Sequence, residues 1–304
     1  GSHGAAPPAM TAPKVSVSAG TLRWRFKLMS LAFATLLATV TTPIAFATSL
    51  LDPKVAQIGT GSLNLLVMFS SLLLGAPVVA SLGPKKALVI AMALATGYGL
   101  FFAVATTQAP GSTAQWVTYF LGVAAYGAGG GMIWTAQGTY FAATSELVAT
   151  AEGKPREEIS AALGGTFASI YLTMEVAVKL TATLSQGSFF QIHFGDPVVS
   201  LPTLFYIFAG AATAATVCMA LIPPPPETGS RPDASVCARL RAAVTLWGKP
   251  PIWCLGLTNF TFGFCAAYMN GYVNGALTAR SPVYGKAAIG ALAAGTALTA
   301  AGLS

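Results

Sequence analysis

Acidic residues are scarce in this sequence: Asp and Glu number nine in 304 residues, and all charged residues together make up 8%. A soluble chain of this size needs roughly a quarter charged residues to cover its surface. The shortage excludes a soluble globular protein. It also excludes a disordered one, because disordered chains are polar and highly charged. Four cysteines without framework spacing exclude a disulfide-stapled scaffold; Cys218, Cys237, Cys254 and Cys265 read as isolated thiols. His3 and His193 lie far apart and lack matching ligands, so no metal centre is expected. No Gly-x-x-x-x-Gly-Lys-Ser/Thr loop occurs, which argues against an ATP-driven pump. Neither an enzyme signature nor a cofactor motif is present.

What the chain has instead is apolar length. Hydrophobic residues make up 54%, and the mean hydropathy is +0.67. They gather into runs at 28–50, 58–82 and 87–107, then from about Trp116 past Gly127, Gly129, Gly130 and Gly131. Further runs lie at 159–184, 201–222, 252–273 and 287–303. Most are about 20 residues long or more, enough to cross a bilayer. They are continuously apolar, not alternating, which excludes a membrane β-barrel. The expected fold is all-α, a polytopic membrane helix bundle. Residues 1–22 are expected to form a disordered tail, and 23–222 a six-helix transmembrane half. Residues 223–250 would be a linker loop, opening with Pro223 to Pro226, and 251–304 the start of a second half. Two full halves need about twelve spans. The chain ends inside an apolar run, so a truncated second half is expected.

The net charge of +7 reads as topology and not as a nucleic-acid footprint. Lys14, Arg23, Arg25, Lys27, Lys85, Lys86, Lys154, Arg156, Arg231, Arg239, Arg241 and Lys249 fall in the tail and the even-numbered connections. Only Lys54, Arg280 and Lys286 fall on the other side. That bias puts the tail and the 223–250 loop on the cytoplasm-like face of a multi-pass protein, without naming the membrane.

Glu175 and Lys179 stand four residues apart inside the fifth run, on one helix face. Charges there cost free energy unless paired, so they read either as a midplane substrate or proton site or as an internal ion pair. Gln137, Tyr140 and Asn259 are the further candidates for that intramembrane site. Asn64, Ser70, Ser71, Trp134, Asn270 and Asn274 also put polar groups in or beside spans, where interhelical hydrogen bonding is the plainer role. Gly127 with Gly131, and Gly271 with Gly275, have the spacing for close helix packing. Pro43 could kink the first span.

Leu82-Gly83-Pro84-Lys85-Lys86 resembles the basic cytoplasmic turn of the major facilitator superfamily. The stretch from Gly61 to Lys86 looks closest to the UNC-ninety-three-like branch, in which a Ser-Ser-Leu-Leu helix precedes a Leu-Gly-Pro-Lys turn. Gly131 to Tyr140, GMIWTAQGTY, is similar to the Trp-Thr-x-x-Gly-x-Tyr block closing the family's fourth span. Gly256 to Tyr272 looks like the start of its second half. The resemblance covers about residues 28 to 304, and it marks Gly83, Lys85 and Lys86 as the cytoplasmic turn. Two departures stand out. Ala80 occupies the place of the superfamily's turn Asp, and Val178 with Lys179 replace a small-residue and Asn pair.

The resemblance implies a facilitator-class membrane protein, with secondary transport of an unidentified small solute as the first expectation. The alternative is a non-transporting accessory, regulatory or scaffold subunit acting on a membrane-protein partner. Since Ala80 removes the gating Asp and Glu175 is the acidic residue left within the spans, the 304-residue chain alone is expected to insert stably without moving solute.

Overall fold

The computed structural model describes residues 17–185, 188–189, 192–193, 199–226, 241, 244–280 and 285–303. All eight apolar runs are helical. The first three are α1 (Ala19–Leu50), α2 (Pro53–Leu82) and α3 (Pro84–Ala105); α2 contains a π-helical turn at Ser71–Gly75. Next come α4 (Thr113–Glu152), α5 (Arg156–Leu184) and α6 (Leu201–Leu221). After the linker, α7 runs through Pro250–Tyr268, a second π turn at Met269–Val273, and Asn274–Arg280; α8 is Gly285–Leu303. A short antiparallel hairpin, β1 (Ser188–Phe189) with β2 (Ile192–His193), joins α5 to α6.

Six helices are long and apolar enough to cross a membrane, the build of a multi-pass membrane protein. They are α1, α2, α3, α5, α6 and α7. Helix α4 has the length, but its glycines, tyrosines and threonines dilute its hydropathy, and much of it is enclosed by neighbours. Helix α8 is mostly alanine and glycine.

Local chemistry sets the ends. Ser18, Asp52, Ser112 and Ser200 each accept a backbone N–H at a helix start, satisfying donors that have no partner within the helix. Prolines 53, 84 and 202 sit in first turns, where a missing N–H costs nothing. Gly83 and Gly153 end α2 and α4 with positive φ of 79° and 64°, a conformation that L side chains rarely adopt. The Ser18 cap corrects the expected tail boundary. Helix α1 starts at Ala19, and Leu22 is 2% exposed, so the last residues of 1–22 belong to the fold.

Helix α1 is central, packing on α4, α5 and α6 and on the last turns of α7; α3 packs on α4 and α6, and α8 on α5. The α2–α4 seam is the tightest. Side chains on α2 press against glycines of α4, and Ser70 Oγ accepts a hydrogen bond from Gly131 N at 3.1 Å. The Gly127–Gly131 pair therefore packs within the chain, as expected. Of the other pair, Gly275 lies against Thr48, whereas no atom comes within 4 Å of a Cβ placed on Gly271.

Contacts sort the helix ends into two faces. Arg23 at the start of α1 makes a two-pronged bond to Glu152 at the end of α4, 2.7 and 3.0 Å long. On the same face Lys85 Nζ donates to the Ala220 carbonyl at 2.8 Å, placing a cation at the negative end of α6. The opposite face holds Asp52, whose N–H donates to Gln115 Oε1 at 3.3 Å, and Thr48, whose hydroxyl donates to the Asn270 carbonyl at 3.2 Å. Lys14, Arg231, Arg239 and Cys237 lie outside the described residues.

The Arg23 guanidinium holds the Glu152 carboxylate below its usual range, chiefly by hydrogen bonding. Because the folded state favours the ionised form, this tie is complete above the ordinary carboxylate range and is lost as pH falls through the lowered value. Acidification is thus expected to loosen the α1–α4 ends. Protection of the 19–24 amides, with exchange rates corrected for their intrinsic pH dependence, should hold down to about pH 4 and fall below it, and Arg23→Gln should abolish that dependence.

Candidate functional site

Helix α5 carries Phe167, Tyr171, Glu175, Lys179 and Thr183 at four-residue intervals, so the five side chains form one stripe. Glu175 is buried, with 6% of its surface exposed. Its Oε1 accepts a hydrogen bond from Thr41 Oγ1 of α1 at 3.2 Å, and its Oε2 pairs with Lys179 Nζ. Helix α8 closes over the next turn: a Cβ on Gly290 would come within 2.8 Å of the Lys179 carbonyl. The pair therefore lies where α1 and α5 of the first six helices meet α8. Together the two charges cancel, and a proton or an anion that engages one of them changes what holds the other. Removing either partner leaves an unpaired charge in an apolar layer.

One turn nearer the Arg23 face is a belt of aromatic rings. Phe33 of α1 meets Trp134 of α4 and Phe167 of α5 at centroid distances of 5.2 and 5.7 Å. Trp134 meets Tyr171 at 6.3 Å, and Phe167 stacks on Tyr171 at 5.9 Å. Below the belt, Phe26 packs edge-on against Phe141 at 5.6 Å.

Gln137 and Tyr140 sit at this lower level, 8% and 2% exposed, and not beside Glu175. Arg25 precedes Phe26 on α1 and Tyr140 precedes Phe141 on α4, so the Phe26–Phe141 contact brings their two turns together. Arg25 and Thr41 are sixteen positions apart on one helix, about 24 Å at 1.5 Å per residue. The expected single site is thus corrected to two levels separated by the aromatic belt.

Asn259 joins neither level. It is exposed on α7 and donates to its own helix, Nδ2 to the Leu255 carbonyl at 2.9 Å. Asn274 is the α7 amide that reaches inward, donating to the Ala45 carbonyl at 3.0 Å. Gly83, Lys85 and Lys86 make the turn between α2 and α3, where Lys85 binds the end of α6 while Lys86 is exposed.

The residues that sequence reasoning missed are Thr41, Gly290 and Arg25. A threonine among apolar neighbours and a glycine in an alanine-rich run carry no signal of their own. Arg25 looks like one more basic residue before the first span; only the helix start at Ala19 brings it into the bundle. Among the described residues no group of His, Cys, Asp and Glu could hold a metal ion. No family model matches the chain, and no curated protein and no solved structure matches it.

Proposed function

We propose that the chain is a facilitator-type secondary transporter, similar to the UNC-ninety-three-like branch of the major facilitator superfamily, with its solute path between the first six helices and the helices that follow. The observation that carries this reading is the buried Glu175–Lys179 pair at the meeting of α1, α5 and α8. Transporters built from repeated halves hold substrate and coupling ions near the midplane, at the boundary between the halves. An ionisable pair inside apolar helices is costly to keep unless it has a task there. Glu175 has one hydroxyl partner and one cationic partner, so protonating it would release Lys179 to a second anion.

The test is uptake of a radiolabelled panel of small organic solutes into proteoliposomes, with and without an inward proton gradient. Against the expectation drawn from Ala80, this reading requires gradient-dependent uptake of at least one solute, lost in Glu175→Gln. Uptake by no panel member, or uptake unchanged in Glu175→Gln, would remove the transport reading.

A second reading, an accessory or scaffold subunit, has its own support in α7. Trp253, Leu257, Phe260 and Phe264 are 64–71% exposed along its first turns, a face that no other described helix of this chain covers. Under this reading the purified chain inserts, moves nothing, and co-purifies with a membrane-protein partner lost on Phe260→Ser.

A further inference from the structure

We infer that Arg25, Gln137 and Tyr140 form a binding site for an oxyanion, a carboxylate or a phosphate, on the Arg23 side of the aromatic belt. The inference deepens the transport reading by naming the chemistry of the solute, and it rests on that reading only for the anion being carried.

Three observations converge. First, the Arg25 guanidinium is half-buried yet has neither an ion pair nor a hydrogen bond among the described residues, whereas Arg23, two positions away, is held by Glu152. Second, Gln137 and Tyr140 are both more than nine-tenths buried, and neither the amide nor the hydroxyl has a hydrogen-bond partner among the described residues. Buried polar groups are nearly always satisfied. Among the described residues, the fully sealed unpartnered side-chain atoms include neither the Gln137 amide nor the Tyr140 hydroxyl, so both polar ends keep some exposed surface. Third, the groups share one place. Gln137 and Tyr140 are three residues apart on one face of α4, and the Phe26–Phe141 contact, 5.6 Å between ring centres, sets the α1 turn that carries Arg25 beside the α4 turn that carries Tyr140.

The charge of the set is one-sided. A guanidinium offers five N–H donors and no acceptor, while the tyrosine hydroxyl adds one donor and the glutamine amide two beside their acceptor oxygens. A carboxylate or phosphate brings negative charge and several acceptor oxygens, and a planar guanidinium can grip two of them at once. Above the set, Trp134 is 48% exposed and presents an aromatic surface to an organic group attached to the anion. The anion could belong to a soluble solute or to a lipid headgroup, since this end of the bundle also carries the basic turns.

Thermal unfolding of the full chain in phosphatidylcholine nanodiscs separates these sources. Sodium benzoate and inorganic phosphate are titrated at constant ionic strength against chloride, and a parallel set of discs contains phosphatidylglycerol without added anion. Stabilisation by benzoate or phosphate identifies a soluble solute; stabilisation in phosphatidylglycerol discs alone identifies a headgroup. Either supports the site if Arg25→Gln weakens the effect by about tenfold and Tyr140→Phe by several-fold. Tyr140→Phe keeps the ring and loses only a hydroxyl without an internal partner, so its fold is secure even if Arg25→Gln fails to fold. Stabilisation reads binding without uptake, so failure of this site and failure of the transport reading are separate results. No stabilisation by any of the three anions, or stabilisation unchanged in Tyr140→Phe and Arg25→Gln, overturns the inference.

Discussion

Glu175→Gln is expected to destabilise the protein by about 3–5 kcal/mol, the usual cost of stranding one charge of a buried pair. The carboxylate has two partners, Thr41 Oγ1 and Lys179 Nζ, and glutamine can keep the first while giving up the second. Lys179 is then left without its carboxylate in an apolar layer, its backbone covered by α8 at Gly290. Replacing both residues, Glu175→Gln with Lys179→Met, removes the stranded charge and should recover most of the loss. The four variants form a double-mutant cycle, measured by denaturant unfolding in detergent micelles. A coupling energy near zero would mean that the two groups do not depend on each other.

The second large effect belongs to the α2–α4 seam. A Cβ on Gly131 would overlap the Ser71 nitrogen and stand 2.6 Å from the Ser70 carbonyl carbon, so the obstruction is backbone. A flexible side chain could swing aside; a helix backbone cannot. A Cβ on Gly130 would stand 2.7 Å from Val67 Cγ2, and one on Gly75 of the partner helix 2.7 Å from Thr135 Oγ1, so moving α2 away from α4 disturbs the whole seam. Gly131→Ala is therefore expected to cost about 3 kcal/mol, the upper end for overpacking. Gly138→Ala, on the same helix but with nothing within 4 Å, should be neutral or stabilising by a few tenths up to about 1 kcal/mol. Thermal unfolding of the two variants side by side checks this, and equal stabilities would mean that the seam is looser than its geometry.

The bundle was legible because its signal is long and redundant. Each apolar run is a helix, and Pro53, Pro84, Ser112, Ser200 and Pro202 fall at helix starts. The glycine pair at 127 and 131 could be read as a packing face because close helix approach needs small residues at that spacing. The site was legible only where its residues share a helix: Glu175 and Lys179 meet because the spacing of four puts them on one face. Which other helix completes a site depends on packing, and packing leaves little trace in a uniformly apolar sequence. Thr41 and Gly290 were invisible for that reason. Gln137 and Tyr140 were grouped with Glu175 because all lie in spans, but the helices cross the membrane in opposite directions, and depth along each decides who meets. Asn259 failed differently: its amide satisfies itself on its own helix, as exposed polar residues in helices can do.

The central claim is that solute passes between the first six helices and the helices after the linker, which requires α1 and α7 to move apart and together during a cycle. Thr48 of α1 and Gly275 of α7 face each other across that boundary, a Cβ on Gly275 standing 3.3 Å from the Thr48 Cβ. In a chain freed of its native cysteines, Thr48→Cys with Gly275→Cys should form a disulfide that abolishes uptake of the transported solute into proteoliposomes, with dithiothreitol restoring it. Full uptake with the cross-link intact would contradict the account.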